Sequence, residues 1–273
     1  MNNGTNYYCI LFEKAWFTKV NIVFMEKIES IVGEIKSFIK LNEQGCTSEV
    51  HQIITDNGCF LLKSSFKEKY KEWLKNEASM LKQLHNNNQI PVPKYYGFIE
   101  SEESHLIMSF EEGITLTAAL NQATSITEKR SLIRSFGQFL HQFHEKESLL
   151  FLNRENDWLE GQLVKAQSYV ENGQADGTFE LLDQLKSNKP LSVQQTMIHG
   201  DCTTDNVLVV DGKVKLFIDV SGMTVGDPRY DETLAIGEFV NKPECIHAFY
   251  EGYKRYKITK EEFQYFEGLY EFF

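Results

Sequence analysis

Residues 198–231 read IHGDCTTDNVLVVDGKVKLFIDVSGMTVGDPRYD. The dipeptide Asp211-Gly212 lies between two mainly apolar runs, which are residues 207–210 and 214–218. An Asp-Gly pair between two apolar runs is a strong signal for a β-hairpin with a two-residue turn. Residues that face each other across the hairpin then have numbers that sum to about 423. The stretch therefore predicts a hairpin, and it determines which polar residues meet at the open end.

Three oxygen-bearing side chains are expected at that open end. Asn206 precedes the first strand and Asp219 follows the second, so the pairing brings an amide and a carboxylate together. Asp201 stands a few residues earlier and adds a second carboxylate. Hard oxygen ligands in small number suit Mg²⁺, which takes its other ligands from water and phosphate oxygens. The pattern predicts phosphoryl transfer; the alternative is that these residues cap turns, as Asp and Asn often do.

A lysine and a glutamate earlier in the chain indicate the same chemistry. Lys63 lies near the end of the second of two predicted strands, 49–55 and 59–64, which an Asp-Asn-Gly turn joins. Residues 67–85 have apolar residues at helical spacing, and Glu77 lies within that apolar stripe. A carboxylate on a buried face needs a partner, and Lys63 is the candidate. Kinases hold nucleotide phosphates with such a pair; the alternative is a pair at the protein surface.

The chain divides into a strand-rich part and a mainly helical part. Residues 95–99 and 105–110 are two further predicted strands, and residues 111–113 form a hinge. Beyond the hinge, residues 131–144 and the segment from 228 onward have helical patterns. The predicted units are an irregular N-terminal extension at 1–24, an N-terminal lobe at 25–111 and a C-terminal lobe at 112–273.

The start of the N-terminal lobe carries apolar residues at helical spacing. They predict an amphipathic helix that begins at Met25 and continues through Ile28, Ile31, Ile35 and Phe38. Met25 is also an alternative start for the natural chain.

The composition disfavours several classes of protein. The chain has 273 residues, of which 42% are hydrophobic and 25% charged, as in ordinary globular proteins. A net charge of -11 disfavours nucleic acid and anionic membranes as partners and favours cationic or neutral ligands. No apolar run is long enough to span a membrane, and no secretion signal is evident. The five cysteines include no C-x-x-C pair, so free thiols in a reducing cytoplasm are expected.

Several motifs resemble those of a known family. Residues 199–206 match H-G-D-x-x-x-x-N, residues 218–219 read Ile-Asp, and residues 226–231 read GDPRYD. In these residues the chain is similar to the aminoglycoside phosphotransferase family of small-molecule kinases, which includes antibiotic kinases and relatives of choline and homoserine kinases. The resemblance extends from about residue 35 to the C-terminus. It implies an α+β, bilobal fold like that of protein kinases, with a strand-rich N-terminal lobe and a mainly helical C-terminal lobe.

The resemblance implies a role for each residue of the predicted site. Asp201 would be the base that orients the acceptor hydroxyl, and Asn206 and Asp219 would hold Mg²⁺. Lys63 would bind the phosphates of ATP or GTP, and Glu77 would orient Lys63. Positioning and charge neutralisation are what phosphoryl transfer needs most. The expected reaction is transfer of the γ-phosphate to a hydroxyl of a small molecule.

The resemblance also implies where the nucleotide lies. A loop with Gly45, Thr47 and Ser48 stands where the family has a phosphate loop containing Ser and Thr, and the nucleotide would lie in the cleft under Gly113. Asp231 would brace the catalytic loop from the helix that follows it. No G-x-G-x-x-G sequence of the protein-kinase type is present in this loop.

Two other functions are open at this point. One is a nucleotide- or ligand-binding protein without catalytic activity, against which the joint presence of Asp201, Asn206, Asp219 and Lys63 argues. The other is a protein kinase, which the missing Arg before the catalytic Asp and the missing A-P-E segment disfavour.

Charge indicates a class of acceptor. Residues 145–180 contain eight acidic and three basic residues, and they overlap the segment 153–191 that is expected to form the acceptor wall. Carboxylates that line a cleft concentrate cations, so an amine-bearing alcohol such as an aminoglycoside, an amino sugar or a choline-like compound is expected. The alternative is that these charges form a solvated helix face.

Overall fold

The computed structural model describes residues 19–42, 44–45, 47–85, 89–149, 152 and 157–273. The N-terminal lobe contains, in chain order, α1 (Lys19–Val32), β1 (Ile35–Lys40), β2 (Glu49–Thr55), β3 (Gly58–Ser65), α2 (Glu68–Leu84), β4 (Tyr95–Glu100) and β5 (Ser104–Ser109). The strands form an antiparallel sheet in the order β1-β2-β3-β5-β4. β3 therefore lies at the centre of the sheet.

The β2–β3 hairpin and the helix after it agree with the sequence predictions. Thr55 pairs with Gly58, which has a φ of +132° that favours glycine. Helix α2 buries its apolar face, including Leu74 and Leu81, against the sheet and the C-terminal lobe. Glu77 lies on this buried face, as the apolar stripe predicted.

The prediction of a helix over 25–38 is wrong at both ends. Helix α1 covers Lys19–Val32, and Ile35–Lys40 is instead the edge strand β1, paired antiparallel with β2. Gly33 separates the two elements, because its φ of +89° is a left-handed conformation that glycine adopts without strain.

The N-terminal extension is described in part. The sequence predicts an irregular segment at 1–24, but residues 19–24 belong to α1. Residues 1–18 lie outside the described part of the chain.

The C-terminal lobe contains β6 (Ile114–Thr115), α3 (Leu116–Gln122), α4 (Ile126–His144), α5 (Trp158–Glu171), α6 (Phe179–Ser187), β7 (Thr196–Ile198), β8 (Val207–Val210), β9 (Lys213–Phe217), β10 (Thr224–Gly226), α7 (Pro228–Ile236), α8 (Pro243–Gly252) and α9 (Lys260–Tyr270). β6, β8 and β9 form one small sheet, and β7 pairs with β10. In the described ranges, no helix is both long and apolar enough to cross a membrane.

The predicted β8–β9 hairpin is present. Val210 pairs with Lys213, and the two turn residues Asp211 and Gly212 have φ values of +50° and +71°. Positive φ at both central residues is the geometry that Asp-Gly favours.

The hydrophobic core of the C-terminal lobe is built around α4 and α8. A side chain at Gly137 on α4 would overlap the backbone of Phe249, and one at Gly252 on α8 would overlap the backbone of Arg134. The two helices therefore pack so closely that only glycine fits at these two positions. The apolar core is continuous with the buried face of α2, which joins the two lobes.

Candidate active site

The open end of the β8–β9 hairpin brings Asn206 and Asp219 together. The backbone N–H of Ile218 donates to the carbonyl of Asn206 at 3.0 Å, so the pairing continues one step beyond the strands. Asp219 follows with a φ of +57°, and this left-handed residue turns the chain away from the hairpin. The numbering rule placed these two residues correctly, although a register shift between Leu208 and Val209 moves the pairing by one residue.

Asn206 also holds Asp201. The side-chain N–H₂ of Asn206 donates to the Oδ2 and to the backbone carbonyl of Asp201, each at 2.8 Å. The amide nitrogen of Asn206 therefore donates to Asp201, and the amide oxygen is the atom that could bind a metal ion. The three predicted oxygen-bearing side chains thus lie at one end of the hairpin.

The loop that carries Asp201 is fixed by the buried carboxylate of Asp231. The backbone N–H groups of His199 and Gly200 donate to Asp231 at 2.6 and 2.8 Å, and His144 Nε2 lies 3.2 Å from the same carboxylate. Gly200 has a φ of +82°, and a side chain there would overlap the carbonyl of Gly222. The expected contact of Asp231 with this loop is present, whereas the contact of His144 was not predicted.

Lys63 lies between two carboxylates. Its ammonium is 2.8 Å from Glu77 Oε2 and 3.1 Å from Asp219 Oδ2. Burial alone would lower the pKa of Lys63, but the two neighbouring carboxylates outweigh it and raise this pKa above its ordinary value. Burial raises the pKa of Glu77, and the ammonium of Lys63 opposes that shift. The predicted Lys63–Glu77 pair is therefore present and buried, so it is not a surface pair.

Tyr270 is a contact of Asp201 that the sequence did not reveal. Tyr270 is the last residue of α9, and its hydroxyl donates to Asp201 Oδ1 at 2.9 Å. Burial raises the pKa of Asp201, as does the charge of Asp219, while His199 and the hydrogen bonds from Tyr270 and Asn206 lower it. No local sequence signal links two residues that are 69 positions apart.

The predicted phosphate loop lies beside the strand that carries Lys63. Ser48 Oγ is 2.8 Å from Ser65 Oγ at the end of β3, and Ser65 also donates to the carbonyl of Thr47. The Ser48 hydroxyl is therefore engaged inside the protein, while Thr47 is half-buried. Gly113 has a φ of +141°, and a side chain there would press on the β8 backbone at Val209.

The side-chain oxygens of Asn206 and Asp219 would fit a magnesium ion. Within the described ranges, no three His, Cys, Asp or Glu residues are grouped so that they alone could hold a metal. Asn206 and Asp219 offer one amide oxygen and one carboxylate. Such a sparse set of hard ligands suits Mg²⁺, which keeps several waters and binds substrate phosphates.

Comparison with known proteins gives a family and a fold. The phosphotransferase enzyme family matches this chain over residues 39–265. An aminoglycoside 3'-phosphotransferase of Enterococcus faecalis is 26% identical over 232 residues, which are 78% of this chain and 85% of that protein.

Two solved structures have similar folds. An aminoglycoside-3'-phosphotransferase of type VIII has a TM-score of 0.69 at 22% identity, with 87% of this chain and 93% of that chain covered. A thermostable mutant of an aminoglycoside phosphotransferase, in a ternary complex with ADP and hygromycin B, has a TM-score of 0.65 at 15% identity, with 92% of this chain and 88% of that chain covered. The predicted α+β, bilobal kinase-like fold is confirmed by these similarities.

Proposed function

Because this chain belongs to the phosphotransferase enzyme family, we propose that it is a kinase that transfers the γ-phosphate of ATP or GTP to a hydroxyl of a small molecule. The observation that carries the proposal is the position of Lys63, within 3.1 Å of both Glu77 and Asp219. Lys63 on the N-terminal sheet and Asp219 at the end of the β8–β9 hairpin are therefore in direct contact. Binding of a nucleoside triphosphate with its metal ion requires this combination.

Asp201 is the proposed base. It would accept a hydrogen bond from the acceptor hydroxyl, direct the oxygen toward the γ-phosphorus, and take the proton as the new O–P bond forms. The side-chain amide of Asn206, in the same loop, holds the carboxylate in one orientation. A fixed orientation matters because alignment of the nucleophile supplies much of the rate enhancement in such reactions.

Asn206 and Asp219 would hold Mg²⁺, and Lys63 would bind the nucleotide phosphates while Glu77 orients it. When bound, the ion would neutralise negative charge on the phosphate oxygens. The side chain of Asp219 is 38% exposed and that of Glu77 is 4% exposed. Asp219 is therefore the carboxylate that a ligand can reach.

The remaining nucleotide contacts are proposed for the loop before β2 and for the cleft wall. Thr47 would contribute its hydroxyl, and Ser48 would contribute its backbone N–H because its hydroxyl binds Ser65. Gly113 would line the cleft, at a place where a side chain would press on the β8 backbone.

The proposed acceptor carries amino groups. The negative charges of Asp201, Asp205 and Asp219 all act on the hydroxyl of Tyr270, next to the proposed base, and Lys63 pairs with the last of the three. An acceptor hydroxyl at this place would be in the same field, which favours a neighbouring ammonium group. The names of the similar proteins, which include aminoglycoside phosphotransferases, are consistent with this class.

The acidic stretch 145–180 is weaker support for a cationic acceptor than its excess of acidic residues suggests. Glu145 pairs with Arg255, and Glu160 pairs with Lys189. These carboxylates are already neutralised by neighbours. The field around the proposed base is therefore the stronger argument.

The test is a panel of acceptors assayed for Mg²⁺-dependent release of nucleoside diphosphate, with ATP and GTP compared. The panel contains aminoglycosides, amino sugars, choline-like alcohols, neutral sugars, anionic alcohols and a Ser/Thr-containing peptide. Amine-bearing alcohols are expected to be phosphorylated, and their KM is expected to rise when salt is raised from about 0.05 to about 0.5 M.

The outcomes separate the hypotheses. Nucleotide binding without turnover of any acceptor would favour the catalytically silent binding protein, and phosphorylation of the peptide alone would favour a protein kinase. A neutral or anionic alcohol as the best substrate would contradict the cationic acceptor, while the kinase assignment would stand.

A further inference from the structure

The two oxygens of Asp201 are bound by different parts of the chain. Oδ2 accepts from Asn206, which is in the same loop, and Oδ1 accepts from Tyr270 at 2.9 Å. Asn206 stays beside Asp201 because the hairpin fixes it. Oδ1 is therefore the oxygen to which an acceptor hydroxyl would donate, and Tyr270 presents a hydroxyl to that oxygen.

We infer that the Tyr270 hydroxyl holds the place of the acceptor hydroxyl on Asp201, and that an acceptor must displace it before phosphoryl transfer. This inference rests on the proposed kinase function and identifies a residue that controls access to its base. Tyr270 has the chemistry that the role needs, because a phenol donates one hydrogen bond just as an acceptor alcohol does. The tyrosine thereby occupies one of the lone-pair positions of that oxygen.

The side chain of Tyr270 is able to leave while the backbone stays. It is 36% exposed, and its described ring neighbour Tyr230 lies at a centroid distance of 6.4 Å in an edge-on contact. The residues that follow are anchored, since Glu271 accepts from the backbone N–H of Gly177 and Phe272 is fully buried. Displacement therefore requires a side-chain rotation and no movement of α9.

The contact affects both acceptor binding and idle hydrolysis. A site that must first lose an internal hydrogen bond binds its ligand with a reduced apparent affinity. The same contact keeps Asp201 from activating water, so nucleotide hydrolysis without an acceptor stays slow. Removing the hydroxyl should change both quantities in a known direction.

The test is Tyr270→Phe, which removes one oxygen and keeps the ring. The matched control is Tyr265→Phe on the same helix, because the Tyr265 hydroxyl is buried and has no hydrogen-bond partner within the described part of the chain. In Tyr270→Phe the acceptor KM is expected to fall by about threefold to tenfold, which is the size of one modest hydrogen bond. Acceptor-free nucleotide hydrolysis should rise by a similar factor, with kcat for the acceptor within about twofold of wild type.

An acceptor KM that is unchanged or higher in Tyr270→Phe would overturn the inference. A fall in kcat at unchanged KM would also overturn it, because Tyr270 would then position Asp201 during the reaction. Thermal unfolding of both variants separates these results from a folding defect, and Tyr270→Leu provides a second variant without the hydroxyl. If the wild-type enzyme phosphorylates an acceptor but Tyr270→Phe does not behave as expected, only the inference about Tyr270 is contradicted. If the wild-type enzyme phosphorylates no acceptor with Mg²⁺ present, the kinase proposal and this inference fail together.

Discussion

The ammonium of Lys63 is 3.1 Å from Oδ2 of Asp219, and this pair connects the central strand of the N-terminal sheet with the end of the C-terminal hairpin. Glu77 on α2 holds the other side of the ammonium at 2.8 Å. Glu77 is almost fully buried, whereas Asp219 is partly exposed. Glu77 is therefore the fixed partner of the lysine, and Asp219 is the partner that can share it with a bound phosphate.

Replacement of Lys63 by alanine is expected to raise the nucleotide KM by about tenfold or more, because a direct phosphate contact is lost. The substitution also leaves Glu77 buried without its cation, so the unfolding temperature should fall. Steady-state kinetics with varied nucleotide measure the first effect. Lys75→Ala is the control, because Lys75 pairs with Glu100 at the surface; an unchanged KM in Lys63→Ala would remove Lys63 from the site.

Asp201→Asn is expected to lower kcat by about 100-fold or more while nucleotide binding stays nearly intact. The amide keeps the size of the side chain but does not accept the proton of the acceptor hydroxyl. Asp211→Asn is the matched control, because Asp211 lies at the closed end of the hairpin and is exposed. A variant that kept more than about a tenth of the wild-type kcat would contradict the role of Asp201.

Asp219→Asn should weaken nucleotide binding and catalysis together. Asparagine tolerates the left-handed backbone of this position, so the change removes the charge without straining the chain. Asn206→Ala should have the same effect in milder form. Nucleotide titrations with and without Mg²⁺ measure the effect, and a wild-type affinity that did not depend on Mg²⁺ would show that the metal site is misplaced.

The residues of the proposed site could be predicted where a local turn determined their position. Asp211-Gly212 sets the hairpin, and the hairpin alone brings Asn206 and Asp219 together. Lys63 and Glu77 were paired by a simpler argument, which is that a carboxylate on a buried face needs a cation.

Contacts between distant segments could not be predicted in this way. Strand β1 resembled a continuation of α1, because Ile31 and Ile35 have helical spacing; the left-handed Gly33 and the pairing with β2 decide against a helix. Strands of two or three residues, such as β6 and β7, form because of their partners and have no sequence pattern of their own. The bond from Tyr270 to Asp201 joins a helix to a loop, and the contact of His144 with Asp231 joins two helices. In each case the two residues are more than 60 positions apart in sequence.

Two glycines with positive φ allow a test of how closely the catalytic loop is packed. Gly200→Ala and Gly212→Ala impose a similar strain, at φ values of +82° and +71°, of about 1 kcal/mol. A side chain at Gly212 meets no described atom within 4 Å, but one at Gly200 overlaps the Gly222 carbonyl. Gly200→Ala should therefore destabilise the protein by about 1 to 3 kcal/mol more than Gly212→Ala, and it should also lower kcat. Denaturant unfolding measures the difference; equal losses would mean that the loop can move away from Gly222.

Glu232 provides a prediction about stability and pH that does not depend on the catalytic site. It is fully buried on α7, where Oε1 accepts from the Tyr250 hydroxyl at 2.6 Å and from the Ile258 backbone N–H at 2.8 Å. Its Oε2 has no hydrogen-bond partner among the residues that the structure describes. Burial raises the pKa of Glu232 to about 7, against an ordinary value of 4.5, although the two hydrogen bonds oppose the shift.

The sign of the pH dependence follows from this raised pKa. Between pH 4.5 and about 7 the folded protein keeps the proton that the unfolded chain releases, so stability is highest below pH 4.5 and falls as pH rises to about 7. The full shift corresponds to a loss of about 3 kcal/mol. Glu232→Gln keeps the acceptor for Tyr250 and Ile258 and does not titrate, so its stability relative to wild type should increase by about 3 kcal/mol between pH 4.5 and pH 8. Urea unfolding at several pH values measures the stability of Glu232→Gln relative to wild type, and Glu267→Gln at an exposed position is the control. If the stability difference between Glu232→Gln and wild type stays constant with pH, Glu232 is ionised in the folded protein throughout this range.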